Sequence, residues 1–301
     1  MAINRSQLPA LLLPGLAGLE WKYPLLPTRF KEFMAVGTSK MALERYVEMA
    51  PTGLAQLKAE GGATVFDNTP GERFTYNIEH RSIGLGFAIT REALDDNLYK
   101  DSFNPQAMGL LQSFNQTREI FAANVLNTAQ TYNSLIGADG VPLCATNHPI
   151  DNGSYANTFD VPLDLNESAV EATLTAIRLL VDQKGIIQHF RGRKMIVPAA
   201  LEWTADRLTR SQYRTGTADN DISAIYGRAL PEGYAVNEFL TSPYAWFVLS
   251  EVQGLVFLQR VAFEINLDVD TTTQNLLVVG YERYGVGYKN PRAVFGNFPT
   301  A

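Results

Sequence analysis

The sequence predicts a mixed α+β protein. Three observations carry that prediction: one long helical pattern near the middle of the chain, a stretch where a strand alternates with two short amphipathic helices, and a C-terminal third dense in β-branched and aromatic residues. At 301 residues, 46% hydrophobic and 11% aromatic, the chain can bury one large core or two smaller ones. Its 25 Lys and Arg stand against 31 Asp and Glu, a net charge of −6, which excludes affinity built on neutralising phosphates over the whole surface but leaves room for a local basic patch. The single cysteine, Cys144, forms no internal disulfide and supplies no cysteine cage for a metal.

The elements follow in order. LPALLLPGLAGL, from Leu8 to Leu19, is apolar but broken by Pro9, Pro14, Gly15 and Gly18. It is too short to span a bilayer and lacks a small-residue cleavage site, so it reads as an extended arm that must lie on some other surface. Residues 39–60 have mixed helical character. The period then changes: Thr64, Phe66, Phe74, Tyr76 and Ile78 alternate around DNTPGE, where Asn68, Pro70 and Gly71 carry turn chemistry, which predicts a long β-hairpin resting on another surface. From Asn104 to Thr128, Leu110, Phe114, Phe121 and Val125 share one face of a helix roughly 35 Å long. CATNHPIDNGSYANTFD has no periodic apolar face and reads as an ordered loop.

A second unit opens at Leu165. Asn166 is the predicted N-cap of a helix carrying Val170, Leu174, Ile177 and Val181, with Gly185 as its stop. KMIVP is a strand, and Leu201, Ala205 and Leu208 mark the next helix. From Tyr244 onward the chain reads as strands that return to the first unit.

No chemical centre emerges. His80, His148 and His189 are far apart and unpaired by any metal spacing, so each reads as a structural, hydrogen-bonded histidine. Asp95 and Asp96 after Glu92 read as a solvated acidic edge, not an acid/base pair. Gly84-x-Gly86 and Gly285-x-Gly287 lack the remainder of a dinucleotide fingerprint and mark glycines in strands where backbones approach. Cys144 lies four residues from His148, but that spacing makes no nucleophile–base pair, and a neutral buried thiol is the reading. No cofactor, metal or catalytic residue is assigned.

Seven stretches in order carry a resemblance: RSIGLGFAITREALDDNLY, LCATNHPIDNGSYANTFD, LNESAVEATLTAIRLLVDQKG, RKMIVPAALEWTADRLTRS, TADNDISAIYG, FLTSPYAWFVL and RYGVGYKNPRAVFGN. With them the chain resembles the major capsid proteins of tailed bacteriophages with the HK97 fold, and within these the group like the Mu-type major head subunit. The resemblance implies an N-terminal arm and adjoining helix over 1–58 and a protruding E-loop hairpin over 59–85. It further implies a P-domain with a long spine helix over 86–164 and 255–301, and an A-domain over 165–254. Tyr284, Tyr288, Arg292 and Phe295 would decorate one P-domain strand, some facing the core and some a neighbour.

The implied function is self-assembly into the pentamers and hexamers of an icosahedral shell around double-stranded DNA, which is contacted weakly and non-specifically. The shell would form in the host bacterial cytoplasm and reside in the virion, with no membrane partner. Implied partners are the chain itself, a separate scaffold protein, a portal and a decoration protein; the scaffold is expected to be separate, with little N-terminal cleavage, because the sequence begins almost directly with the arm. An encapsulin-like compartment shell and, more distantly, a soluble α+β enzyme are the alternatives. Aromatic and arginine anchors of interfaces nominate Trp21, Tyr23, Phe30, Phe66, Arg73, Phe74 and Arg292 as inter-subunit contacts. No lysine occurs between Lys58 and Lys100, so no cross-link between an E-loop lysine and a neighbouring asparagine is expected.

Overall fold

The computed structural model describes residues 28–300 apart from 68–70, 93–98, 137, 215–221 and 228. The apolar arm at 8–19 and the acidic pair Asp95 and Asp96 lie outside the described residues.

Two four-stranded sheets organise the chain. The first has the order β1 (Ala35–Thr38), β10 (Leu255–Val269), β11 (Leu276–Tyr288), β4 (Arg81–Ile89), with β1 parallel to β10 and the other pairs antiparallel. The second has the order β12 (Val294–Asn297), β9 (Trp246–Ser250), β7 (Gly192–Val197), β8 (Tyr234–Val236). The strands β5 (His148–Ile150) and β6 (Gly153–Tyr155) form a small hairpin inside the predicted loop.

The long helix α1 runs from Tyr99 to Asn127, 29 residues. It lies against β11 and fixes itself there with rings and one charge pair. Phe114 meets Phe263 at 4.8 Å, Phe121 meets Tyr284 edge-on at 5.9 Å, and Arg118 pairs with the fully buried Glu282. Burial pushes the Glu282 carboxyl up, and the bond from Arg118 opposes that shift. Arg118 Nη1 also donates to Asn115 Oδ1 on the same helix at 3.2 Å.

The second sheet is covered on both sides, which explains why its strands read as unbroken apolar runs. Ile196, Phe247, Leu249 and Val294 point into the core shared with α1 and the first sheet, together with Leu126, Phe257 and Tyr284. Their neighbours Met195, Val197, Trp246, Val248 and Phe295 point the other way. There they meet Val170 and Ile177 of α2 (Glu167–Arg178) and Ala205 and Leu208 of α3 (Glu202–Arg210). Asn166 caps α2 as read from sequence, accepting the Ala169 N–H at 2.8 Å. The helix nevertheless ends at Arg178, with Leu179 as its C-cap; Gly185, at φ +78°, belongs to a later turn.

Three other expectations change. Residues 39–60 are not helical: LERYVEM is strand β2 (Leu43–Met49), whose burial alternates residue by residue, as a period of two requires. β2 pairs antiparallel with β3 (Glu72–Glu79), and the register carries on through Ala50 N–H to Gly71 carbonyl at 3.0 Å and Gly53 N–H to Asp67 Oδ2 at 2.7 Å. That register centres the hairpin on the turn Ala59–Gly62, where Gly61 takes φ +76° and Gly62 N–H bonds the Ala59 carbonyl at 3.0 Å. Thr64 and Phe66 therefore lie on the same limb as Phe74 and Tyr76, and DNTPGE is not the tip. The last strand, β12, pairs with β9 in the second sheet and does not return to the first. Tyr284 and Tyr288 sit on β11, Arg292 in the 3-10 turn Pro291–Ala293, and Phe295 on β12, all four buried.

Asn157 ties this closing segment in place. Its side-chain nitrogen donates to the carbonyls of Leu143, Pro291 and Val294 at 2.7, 3.0 and 3.1 Å. Its Oδ1 accepts from Ala145 N–H at 2.8 Å and faces His148 Nε2 at 3.1 Å. With the amide nitrogen committed to carbonyls, Nε2 of His148 must carry a hydrogen, while Nδ1 faces Asp139 at 2.6 Å. Replacing Asn157 by Ala leaves buried carbonyls and an N–H unpaired. The expected loss is about 3 kcal/mol or more of subunit stability, read as a lower urea midpoint of the unassembled chain at unchanged slope.

Candidate assembly surface

Among the described residues no group of three or more His, Cys, Asp or Glu could hold a metal. Cys144 is buried with its thiol pushed up by that burial, and both ring nitrogens of His148 are spent on Asp139 and Asn157. One glycine of each pair is a site of close approach: a Cβ on Gly86 would lie 2.6 Å from the Val278 carbonyl and one on Gly285 would lie 2.9 Å from that of Glu79, whereas Gly84 has room for one. No described helix is long and apolar enough to cross a membrane.

What the subunit does present is an arm. Beyond β2 and β3 the two limbs of the hairpin, residues 50–67, continue as extended chain around the Ala59–Gly62 turn with no ladder of their own. They carry Leu54, Leu57, Val65 and Phe66 at 75%, 106%, 66% and 82% exposure, the densest run of bare apolar side chains in the described chain. The arm bends over the loop around Lys184 and Ile186 and leaves a space of about 930 Å³ beneath it.

Charges hold the root of the arm. Arg73 on β3 pairs with Asp151, Lys184 reaches Asp151 at 3.3 Å and Asp67 at 4.0 Å, and Arg292 donates to Glu48 of β2 at 2.8 Å. Arg292 also donates from Nε to the Val181 carbonyl at 2.7 Å and lies 4.2 Å over the Tyr155 ring, which stacks on His148 at 4.8 Å. The arm root, the α2 loop and the closing turn thus meet at one guanidinium.

The nominated contacts separate on this geometry. Trp21 and Tyr23 lie outside the described residues. Phe30 is buried, its ring 4.6 Å from Phe257, and Arg292 is 3% exposed, so both are consumed inside the subunit; Phe74 packs against the same core as Phe30. Arg73 is engaged by Asp151, which leaves Phe66 as the nominated side chain that stands free at the surface. Leu54 and Leu57 fall in the 39–60 stretch whose pattern reads as helical, and Val65 falls between the alternating Thr64 and Phe66 on the opposite face of that limb. Read as extended chain, GLAQLKAEGGATVF shows them at once. Lys58 also lies on this limb, so the lysine-free interval begins inside the arm and the sequence ground for expecting no cross-link fails. Trp203 on α3 and, after it, Tyr213 and Ile222, which share an isolated bridge, are also exposed.

A long helix on a four-stranded sheet, an inserted α+β unit and an extended apolar arm are the arrangement of the HK97-like capsid fold. The chain is a member of the phage capsid protein family, whose profile matches residues 75–297. None of the curated proteins matches. Among solved structures the fold is similar to the capsid of an empty GTA particle (TM-score 0.57, 11% identity, 90% of each chain). It is also similar to a virus-like particle from Pyrococcus furiosus (0.53, 11%, 95% of this chain and 98% of that one) and to the procapsid of bacteriophage JBD30 (0.54, 11%, 99% and 77%). The protein is a major capsid protein, a structural and non-enzymatic subunit of a self-assembled icosahedral shell, and neither the compartment nor the enzyme alternative is favoured.

Lys184 is the test of the arm root. Lys184→Met removes the cation shared by Asp67 and Asp151, and trypsin cleavage after Lys58 in the unassembled chain is expected to rise about fivefold, equivalent to about 1 kcal/mol of lost local stability.

Proposed function

We propose that the chain assembles into pentamers and hexamers by laying the 50–67 arm over a neighbouring subunit, and that the resulting shell encloses double-stranded DNA without gripping it. The observation that carries this reading is the arm itself: four large apolar side chains on extended backbone have no core to enter within their own subunit. Burial of about 100 Å² of apolar area per side chain against a neighbour is worth about 2.5 kcal/mol at 25 cal/mol/Å², and closure of a shell multiplies small contacts. Such head-to-tail contacts close into rings when the rotation between copies fits.

The net charge of −6 supports weak, non-specific contact with packaged DNA. A scaffold protein, a portal and a decoration protein are the further partners, proposed on the resemblance to tailed-phage capsids, as is assembly in the bacterial cytoplasm. Trp203, Tyr213 and Ile222 supply further exposed surface for contacts within a capsomer.

Negative-stain microscopy and sedimentation velocity of the purified chain, with a co-expressed scaffold, test the reading directly. Closed shells or capsomer rings are expected, and a persistent monomer at high concentration would count against it. Leu57→Asp combined with Phe66→Asp should abolish shells while leaving subunit stability within about 0.5 kcal/mol of the parent, because neither side chain is packed in the subunit. Unimpaired shells from that variant would reject the arm as the joining element.

A further inference from the structure

The face of the β10–β11 ribbon turned away from α1 gathers two arginines and a histidine, and part of their hydrogen-bonding capacity meets no acceptor in the subunit. β10 bulges at Arg260, between the pairs Gln259–Tyr284 and Val261–Arg283, and this sets Arg260 beside Arg283. His80, 3% exposed at the joint of β3 and β4, packs on the same face. A Cβ on Gly285 would come within 3.1 Å of its Nδ1, and Arg283 Nη2 reaches its carbonyl at 3.4 Å. Buried nitrogens here lack a hydrogen-bond partner: Nη1 of Arg260, Nε of Arg283 and a ring nitrogen of His80, whose imidazole otherwise meets only the Leu258 backbone.

Neither arginine forms an ion pair among the described residues, and the acid facing His80 is Glu44 of β2, whose Oε1 already accepts the Ser39 hydroxyl. Buried donors without acceptors are costly, and guanidinium groups beside an imidazole offer the forked, charge-assisted bonds that an oxyanion accepts. We propose that His80, Arg260 and Arg283 form a binding site for an oxyanion, either a free phosphate- or sulfate-class ion or a carboxylate of a neighbouring copy of the chain.

Proton linkage follows from the same group. Within the subunit, burial, followed by Arg260 and Arg283, holds the His80 imidazole below its ordinary value, against the opposing pull of Glu44 and of a backbone hydrogen bond at Leu258. A bound anion offsets the arginines and favours the imidazolium. Binding therefore takes up a proton and tightens as pH falls.

Sulfate is the probe, since its charge does not change across the neutral range and any pH response belongs to the protein. Titration of the full unassembled chain, by calorimetry and thermal unfolding with chloride at matched ionic strength as control, should show sulfate-selective binding, stronger near about pH 6 than near about pH 8. Arg260→Gln and Arg283→Gln should each weaken it about tenfold, and His80→Gln should erase the pH difference. Arg260→Lys keeps the charge and should retain most of the binding, which separates loss of the site from loss of the fold. Equal binding by the glutamine variants, or sulfate acting no better than chloride, overturns the assignment. In assembled shells, retained sulfate binding identifies a free oxyanion as the occupant, and binding confined to the unassembled chain identifies the neighbour's carboxylate.

Discussion

The architecture depends on one constraint: the second sheet must be buried on both faces, and the chain's last strand must reach it. β9 is covered along its whole length because one side of WFVLS belongs to the α1 core and the other to the α2–α3 core. β12 completes that sheet only if residues 289–293 turn sharply out of the first sheet. Asn157 and Arg292 hold that turn, one by an amide shared among three carbonyls and the other, from within the turn, by a guanidinium stacked on Tyr155. Remove the turn and the two cores lose the wall between them.

The arm obeys the opposite rule. Its limbs have neither a ladder nor a core, so the single subunit leaves their apolar side chains in water and positions them by charge pairs at the root. Ion pairs are directional and weakly stabilising, whereas apolar burial is strong and indifferent to direction. Dividing the two tasks lets the root set where the arm points and lets a neighbour decide how firmly it stays.

Much of this was legible in the sequence where local pattern and tertiary burial agree. The face of α1 that carries Leu110 and Phe114, the Asn166 cap, the Ala205–Leu208 stripe and the long C-terminal strands were all readable from period and capping chemistry. The misreadings share a cause. β2 alternates Leu43, Arg45, Val47 and Met49 with Glu44, Tyr46 and Glu48, but Glu, Leu, Met and Arg are good helix formers, and propensity outweighed period. At DNTPGE, turn-forming residues drew attention from the plainer Gly61–Gly62 that the register selects. The aromatic and arginine anchors were nominated by residue type alone, and type cannot distinguish Arg292, sunk between three elements, from a side chain on a rim. β12 was assigned to the wrong sheet because a four-residue strand carries no record of its partner.

Cys144 gives the fold a further property. The only thiol in the chain is sealed under Gly296 and Asn157's loop, with burial holding it protonated. To thiol-directed reagents the native surface is therefore silent. A cysteine engineered at any exposed position becomes the one reactive handle per copy, so dyes, spin labels or cargo can be spaced over a particle at the repeat of its own lattice, without first stripping the protein of its natural sulfhydryl.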